Sequence, residues 1–245
     1  FRNASIATGK VAFTELGKKT GAFEAIVSDD LAHFESDAIQ QFDAICFLST
    51  TQDVLSPHPQ VMKNMSDEEK KTALERTARL RKSLMDFIES GKGFVGIHAA
   101  TDTLYNMPEY GRMIGGYFDG HPWNAGTEVQ IDVEKGQEKH PLAIMFEGQS
   151  LNFKEEIYQH KDPYSSKKQQ ILLRLNVEKS GQVGGQKRKD GDYGVAWARH
   201  HGKGRVFYCS LGHNHDIYWN EKVLSHYLAG IQWAMGDLQA KVEHE

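Results

Sequence analysis

An apolar run, an amphipathic helix and a second apolar run follow one another between residues 42 and 97, and few folds accommodate that order. Residues 42–48 (FDAICFL) are nearly continuous in apolar character, as a strand covered on both faces must be. Ser66-Asp67-Glu68-Glu69 has the form of a capping box. Ala73, Leu80, Leu84, Phe87 and Ile88 then recur at helical spacing, and Gly91 ends the helix. Residues 94–97 form the next strand. Two buried strands joined through a helix run parallel with a right-handed crossover. The rest of the chain extends this alternation. Residues 5–19 read as a helix ended by Gly21, residues 23–27 as a strand, and residues 108–114 as a short helix. Residues 129–133 and 171–175 alternate as strands, and residues 195–199 and 205–210 read as a hairpin about Gly202-Lys203-Gly204. A closing helix over residues 219–235 turns Leu224, Tyr227, Leu228 and Ile231 inward. The expectation is an α/β domain over residues 1–245, a parallel sheet with helices on both faces. Such sheets open with a strand, whereas this chain opens at a loop, so a first strand is expected upstream of Phe1.

Composition removes several classes of function. The formal net charge of −4 leaves no basic surface for nucleic acid. Lys187-Arg188-Lys189 lies in a polar, glycine-rich stretch over residues 179–192 and reads as a solvated face. No apolar stretch is long enough to cross a bilayer, so no membrane partner is expected. Cys46 and Cys209 both sit inside apolar runs, which predicts buried, reduced thiols. A homodimer is compatible with the acidic surface.

The chemistry-bearing residues fall at strand ends. Gly93-Phe-Val-Gly-Ile-His98 runs from a buried strand straight into Ala99-Ala100-Thr101-Asp102, and ligands bind where the chain leaves the carboxyl end of such strands. There are twelve histidines, and His98, His121 (before a proline) and His213 (after the last strand) stand at turns built of small residues. Imidazole titrates near neutrality and ligates zinc when neutral. Acid–base work or a divalent metal such as zinc, with His121 and His213 as its ligands, is therefore one reading. The plainer reading is that each imidazole bonds to nearby backbone. No His-Glu-x-x-His motif supports the metal. Asp102 either orients His98 or caps the turn after it. Glu156 is a general acid or base, or else an exposed strand charge, a reading that suits Glu155 better. Trp123, Tyr158 and Trp219 can stack on a sugar face, and Trp197 more readily fills core. Arg199 holds a substrate oxygen or pairs at the surface. The glycines at 181–185 lack the strand and helix of a phosphate loop, and Ser49 and Ser210 lack a Gly-x-Ser-x-Gly elbow.

Taken together, several segments resemble the ThuA-like family, named for trehalose utilisation. They are Phe1-Arg-Asn-Ala-Ser-Ile6, DAICFLSTTQDVL from Asp43, Gly93 through Thr103, and Gly115-Gly-Tyr-Phe118 with His121-Pro122 and His140-Pro141. Glu155-Glu-Ile-Tyr158, Val195-Ala-Trp-Ala-Arg199, and Gly202 through Leu211-Gly-His213 complete the set. The resemblance spans nearly the whole chain. It implies a three-layer, flavodoxin-like sheet of the class I glutamine amidotransferase type, with its first strand before the opening motif. That motif usually ends in histidine, and Asn3 replaces it here, with an amide that can still bond a substrate hydroxyl. Amidotransferases carry a cysteine at the elbow where this chain has His98, and without a thiolate there is no glutaminyl thioester. What the resemblance implies instead is carbohydrate catabolism on keto-glycosides or trehalose-type disaccharides, by elimination, hydrolysis or isomerisation. His98, Asp102 and Glu156 are then the acid–base candidates, with a metal or an imidazolium to steady an enolate. Asn3, Thr101, Trp123, Tyr158 and Arg199 are the substrate-binding candidates. A non-catalytic carbohydrate-binding domain of the same shape is the alternative.

Overall fold

The computed structural model describes residues 3–181 and 183–243. Phe1 and Arg2 of the opening motif, and Gln182 in the polar stretch, lie outside the described residues. In chain order the elements are α1 (Ile6–Thr20), β1 (Ala44–Leu48), α2 (Pro59–Lys63), α3 (Asp67–Glu89), β2 (Gly93–Ile97), α4 (Pro108–Ile114) and β3 (Tyr117–Phe118). They continue with β4 (Glu128–Val133), β5 (Leu151–Lys154), β6 (His160–Lys161), β7 (Gln170–Leu175), α5 (Val177–Ser180), β8 (Gly194–His201), β9 (Gly204–Cys209) and α6 (Glu221–Met235). No helix among the described residues is long and apolar enough to cross a membrane.

Seven strands form one sheet in the order β1-β2-β9-β8-β7-β4-β5. The first three run parallel. The remaining pairs are antiparallel, so the expectation of a parallel sheet holds for one half only. The cause is the turn at Gly202-Lys203. His201 pairs with Gly204 across it, and Gly202 takes a left-handed φ of 58°. So short a connection can only reverse the chain. Every strand added beyond β8 then pairs antiparallel in its turn.

The parallel strands alternate their side chains between two cores. Val95, Ile97, Phe207 and Cys209 pack on one face with Phe13 of α1 and Tyr227 and Ile231 of α6. Phe94, Val206 and Tyr208 pack on the other with Leu84 and Ile88 of α3 and Tyr110 and Met113 of α4. Helices therefore cover both faces of the α/β sheet. The capping box of α3 forms as expected, with Ser66 and Glu69 bonding each other's backbone N–H.

Two expectations fail at the β1 edge. Residues 23–27 form no strand, and Ile26 and Val27 are exposed. Cys46 is exposed, whereas Cys209 is buried. Among the described residues β1 has β2 on one side and no strand on the other. Residues 23–27 do not pair with that edge, and Cys46 stays uncovered on it.

The register fixes where the chemistry sits. Ile97 lies beside Cys209, so the chain leaves β2 and β9 side by side, at His98 and Ser210. A bridge between Trp123 and Ile157 brings the segments that carry His121 and Glu156 to the same rim.

Candidate active site

His98 occupies the elbow directly after β2, with a left-handed φ of 51°. For a residue with a Cβ this conformation costs on the order of 1 kcal/mol or more, and such strain collects at functional sites. The side chain is 1% exposed. Its Nδ1–H donates to the carbonyl oxygen of Ser210 at 2.8 Å. A carbonyl only accepts, so the proton is fixed on Nδ1 and the lone pair on Nε2. The Tyr158 hydroxyl donates to that Nε2 at 2.9 Å. Burial pushes the His98 pKa down to about 4, which keeps the ring neutral across the physiological range.

The neighbouring carboxylates face opposite ways. Glu155 points inward and accepts the backbone N–H groups of Gly212 at 2.9 Å, His213 at 2.5 Å and Asn214 at 3.0 Å. It is fully buried, which corrects its reading as an exposed charge. Burial pushes its pKa up to about 7 against the pull of those three amides. The turn they belong to needs Gly212, whose φ is 135° and where a Cβ would stand 2.7 Å from the Tyr218 hydroxyl. Glu156 points into the rim. Its Oε1 lies 3.3 Å from His213 Nδ1 and 3.8 Å from His98 Nε2, and its Oε2 lies 3.6 Å from His121 Nδ1. Burial opposes its ionisation, but the bond to His213 and the surrounding imidazoles outweigh that and hold Glu156 below the usual carboxylate range. The same bond raises His213 above the ordinary imidazole value.

Asn3 closes the group. Its Oδ1 accepts from the backbone N–H and the hydroxyl of Ser5, which leaves the amide nitrogen facing His213 Nδ1 at 3.1 Å. The cluster reaches solvent through His213 and through His121, whose side chain is 45% exposed and stacks on Phe118. The donor atoms of His98, Glu156 and His213 all lie within 4.8 Å of one another, close enough to share one ion.

The other predicted residues lie elsewhere. Asp102 does not orient His98. It accepts a hydrogen bond from the Tyr105 hydroxyl at 2.5 Å, while the Ser210 carbonyl does the orienting. Thr101 is buried with its hydroxyl against that of Tyr208. Trp123 is wholly buried, donates to the Gly181 carbonyl and packs on Tyr193, so it fills core. Trp197 also lies in the core and donates to the Ile114 carbonyl. Arg199 pairs with Val206, near the start of β9 and away from the rim, and its guanidinium meets Gln169. His140 bonds to the Lys241 carbonyl, as the plainer reading of a histidine expects. Sequence reasoning missed the clamp made by Glu155 and the acceptor role of Ser210. The signal for the clamp was a Glu-Glu doublet in an apolar setting, facing a glycine turn with bare amides.

A cleft of about 1110 Å³ runs along the outer edge of β1, from Asp29 and Phe34 to the loop around His58. It is lined by none of the clustered histidines.

A family model named ThuA and described as trehalose utilisation matches residues 1–234. No curated protein sequence matches the chain. Among solved structures, a ThuA-like protein from Bacteroides uniformis superposes with a TM-score of 0.69 at 20% identity, covering 96% of this chain and 87% of that one. A ThuA-like protein from Parabacteroides merdae gives 0.65 at 15% identity with the same coverage. A cytoplasmic protein from Salmonella typhimurium gives 0.61 at 9% identity, over 92% and 87% of the two chains. The shared fold is of the glutamine amidotransferase type.

Proposed function

The chain belongs to the ThuA family of trehalose utilisation, whose work is carbohydrate-related, and from that premise we propose that the cluster around His98 performs acid–base chemistry on a keto-glycoside of the trehalose type. The observation that carries this reading is the trio at the strand ends. A neutral imidazole with its lone pair turned outward, an ionised carboxylate and a proton-rich imidazole stand within reach of one bound group. Base, acid and oxyanion donors are thus present together.

The step runs as follows. A ketone on the sugar ring acidifies the C–H beside it. Glu156 or the Nε2 of His98 takes that proton, and the electron pair moves onto the ketone oxygen as an enolate. The Tyr158 hydroxyl and the Asn3 amide, which lie against His98 Nε2 and His213 Nδ1, turn to the enolate oxygen and steady that charge. The enolate then expels the glycosidic oxygen one carbon further along, and His213 supplies the proton that the leaving oxygen needs. Addition of water to the product completes a net hydrolysis, and reprotonation of the enolate at carbon instead gives isomerisation.

Incubation with 3-keto-trehalose and 3-keto-sucrose, followed by chromatography of the products, tests the reading. Cleaved or rearranged sugar is expected. Glu156→Gln should lower kcat by roughly 10²–10⁴, with an unchanged circular dichroism spectrum. Measurable sugar binding without any turnover would overturn the enzyme and favour a carbohydrate-binding domain.

A further inference from the structure

We propose that His98 Nε2, His213 Nδ1 and the Glu156 carboxylate form a divalent transition-metal site of the zinc class, with its open coordination position facing His121. The site is the same cluster, and any catalytic use of the ion rests on the keto-sugar reading; the binding itself does not.

Three observations carry it. The spacing fits. A tetrahedral ion with bonds of about 2.1 Å holds its ligand atoms about 3.4 Å apart. Glu156 Oε1 lies 3.3 Å from one imidazole nitrogen and 3.8 Å from the other, and the three donor atoms all lie within 4.8 Å of one another, so the two carboxylate edges already match and the imidazoles need only draw together around the ion. The donor set fits as well. Two imidazoles and one carboxylate select a zinc-like ion, whereas magnesium and calcium want oxygen ligands. Finally, the orientation of the ligands is fixed from behind. A metal-bound histidine typically gives its other N–H to a carbonyl or carboxylate, and His98 Nδ1–H does so to the Ser210 carbonyl at 2.8 Å. Glu155, directly before the carboxylate ligand, holds the backbone of His213 itself at 2.5 Å.

Tyr158 directs its O–H at the His98 Nε2 lone pair that an ion would use, and the Asn3 amide stands 3.1 Å from His213 Nδ1. Metal entry displaces both, and the freed hydroxyl and amide then face whatever fills the open position. Bound there, the ion would supply Lewis acidity toward a sugar oxygen, and with His98 Nε2, His213 Nδ1 and Glu156 taken up as ligands the proton transfers of the reaction would fall to the freed Tyr158 hydroxyl and to His121, beside Glu156 Oε2.

The test is a titration of the full-length, chelator-treated protein with ZnCl₂ and CoCl₂, read by calorimetry and elemental analysis. One equivalent per chain is expected, with a cobalt absorption spectrum typical of four- or five-coordination. Glu156→Gln and His213→Gln should each weaken binding by at least about 100-fold. His213 is partly exposed, so its variant keeps the test valid should the Glu156 variant fail to fold. Mg²⁺ should not compete. Binding no tighter than millimolar, or an undiminished equivalent in both folded variants, would overturn the site. Because no sugar is present, neither result bears on turnover. Conversely, a protein that binds zinc and leaves keto-sugars untouched would refute only the reaction.

Discussion

Glu155 and Glu156 share a peptide bond and have opposite tasks, one holding backbone and the other facing the rim. Glutamine at position 155 keeps one acceptor oxygen and turns an N–H toward the amides it should satisfy. The variant Glu155→Gln should therefore lose about 1–3 kcal/mol of unfolding free energy. It should also change the pH dependence. Burial pushes His98, His160 and His226 down to about 4, 3 and 4. Each takes up a proton on unfolding between pH 6.5 and its own folded value, about 4 for His98 and His226 and about 3 for His160, so their contribution is complete above that window and is lost as the pH falls through it. Glu155, raised to about 7, works in the opposite sense. The native state holds its proton where the unfolded chain does not, so its contribution is lost as the pH rises from 4.5 to 7. Removing that acid should steepen the rise of stability with pH near 5.5 by about 1.4 kcal/mol per unit, as read from urea unfolding at several pH values. An unchanged slope would mean that Glu155 is ionised throughout. At this scale the sequence was partly legible. His98, His121, His213, Glu156, Tyr158 and Asn3 do converge, because strand ends and small-residue turns mark a rim. Asp102, Thr101, Trp123 and Arg199 carry the same chemistry by type, but only the register showed that their partners lie elsewhere.

Among the elements, α3 was the clearest in the sequence and is the simplest to perturb. Ser66 accepts from the Glu69 N–H, and Glu69 accepts from the Ser66 N–H. Ser66→Ala removes half of this exchange at an exposed position and should cost about 1 kcal/mol in thermal unfolding, with no change in the rim. The β8–β9 hairpin was equally legible, because its turn is local. Residues 23–27 were not. Their apolar character matches that of a strand, yet strand formation depends on a neighbour that local pattern does not encode. The parallel-to-antiparallel change across the sheet has the same origin. Pattern gives the strands, but pairing follows from the length of each connection.

Across the described residues as a whole, the sheet has one fully covered centre and one open side. Cys209 belongs to the centre, with both faces packed, and Cys46 to the open side. A thiol reagent such as Ellman's should modify one cysteine in the native protein and the second only after denaturation. Modification of both in the native protein would contradict that division. The turn after β9 has a different kind of importance. Ser5 and Tyr218 both donate to the Gly212 carbonyl, His98 donates to Ser210, and Glu155 gathers the three amides that follow. Stretches of chain far apart in sequence are thus fastened at a single knot, and loosening any strand of it disturbs all the others. Freedom to vary is left to the outer wall, where His121, Phe118 and Tyr105 are only partly covered. Changes on that wall leave the knot fastened and alter only what reaches the clustered imidazoles.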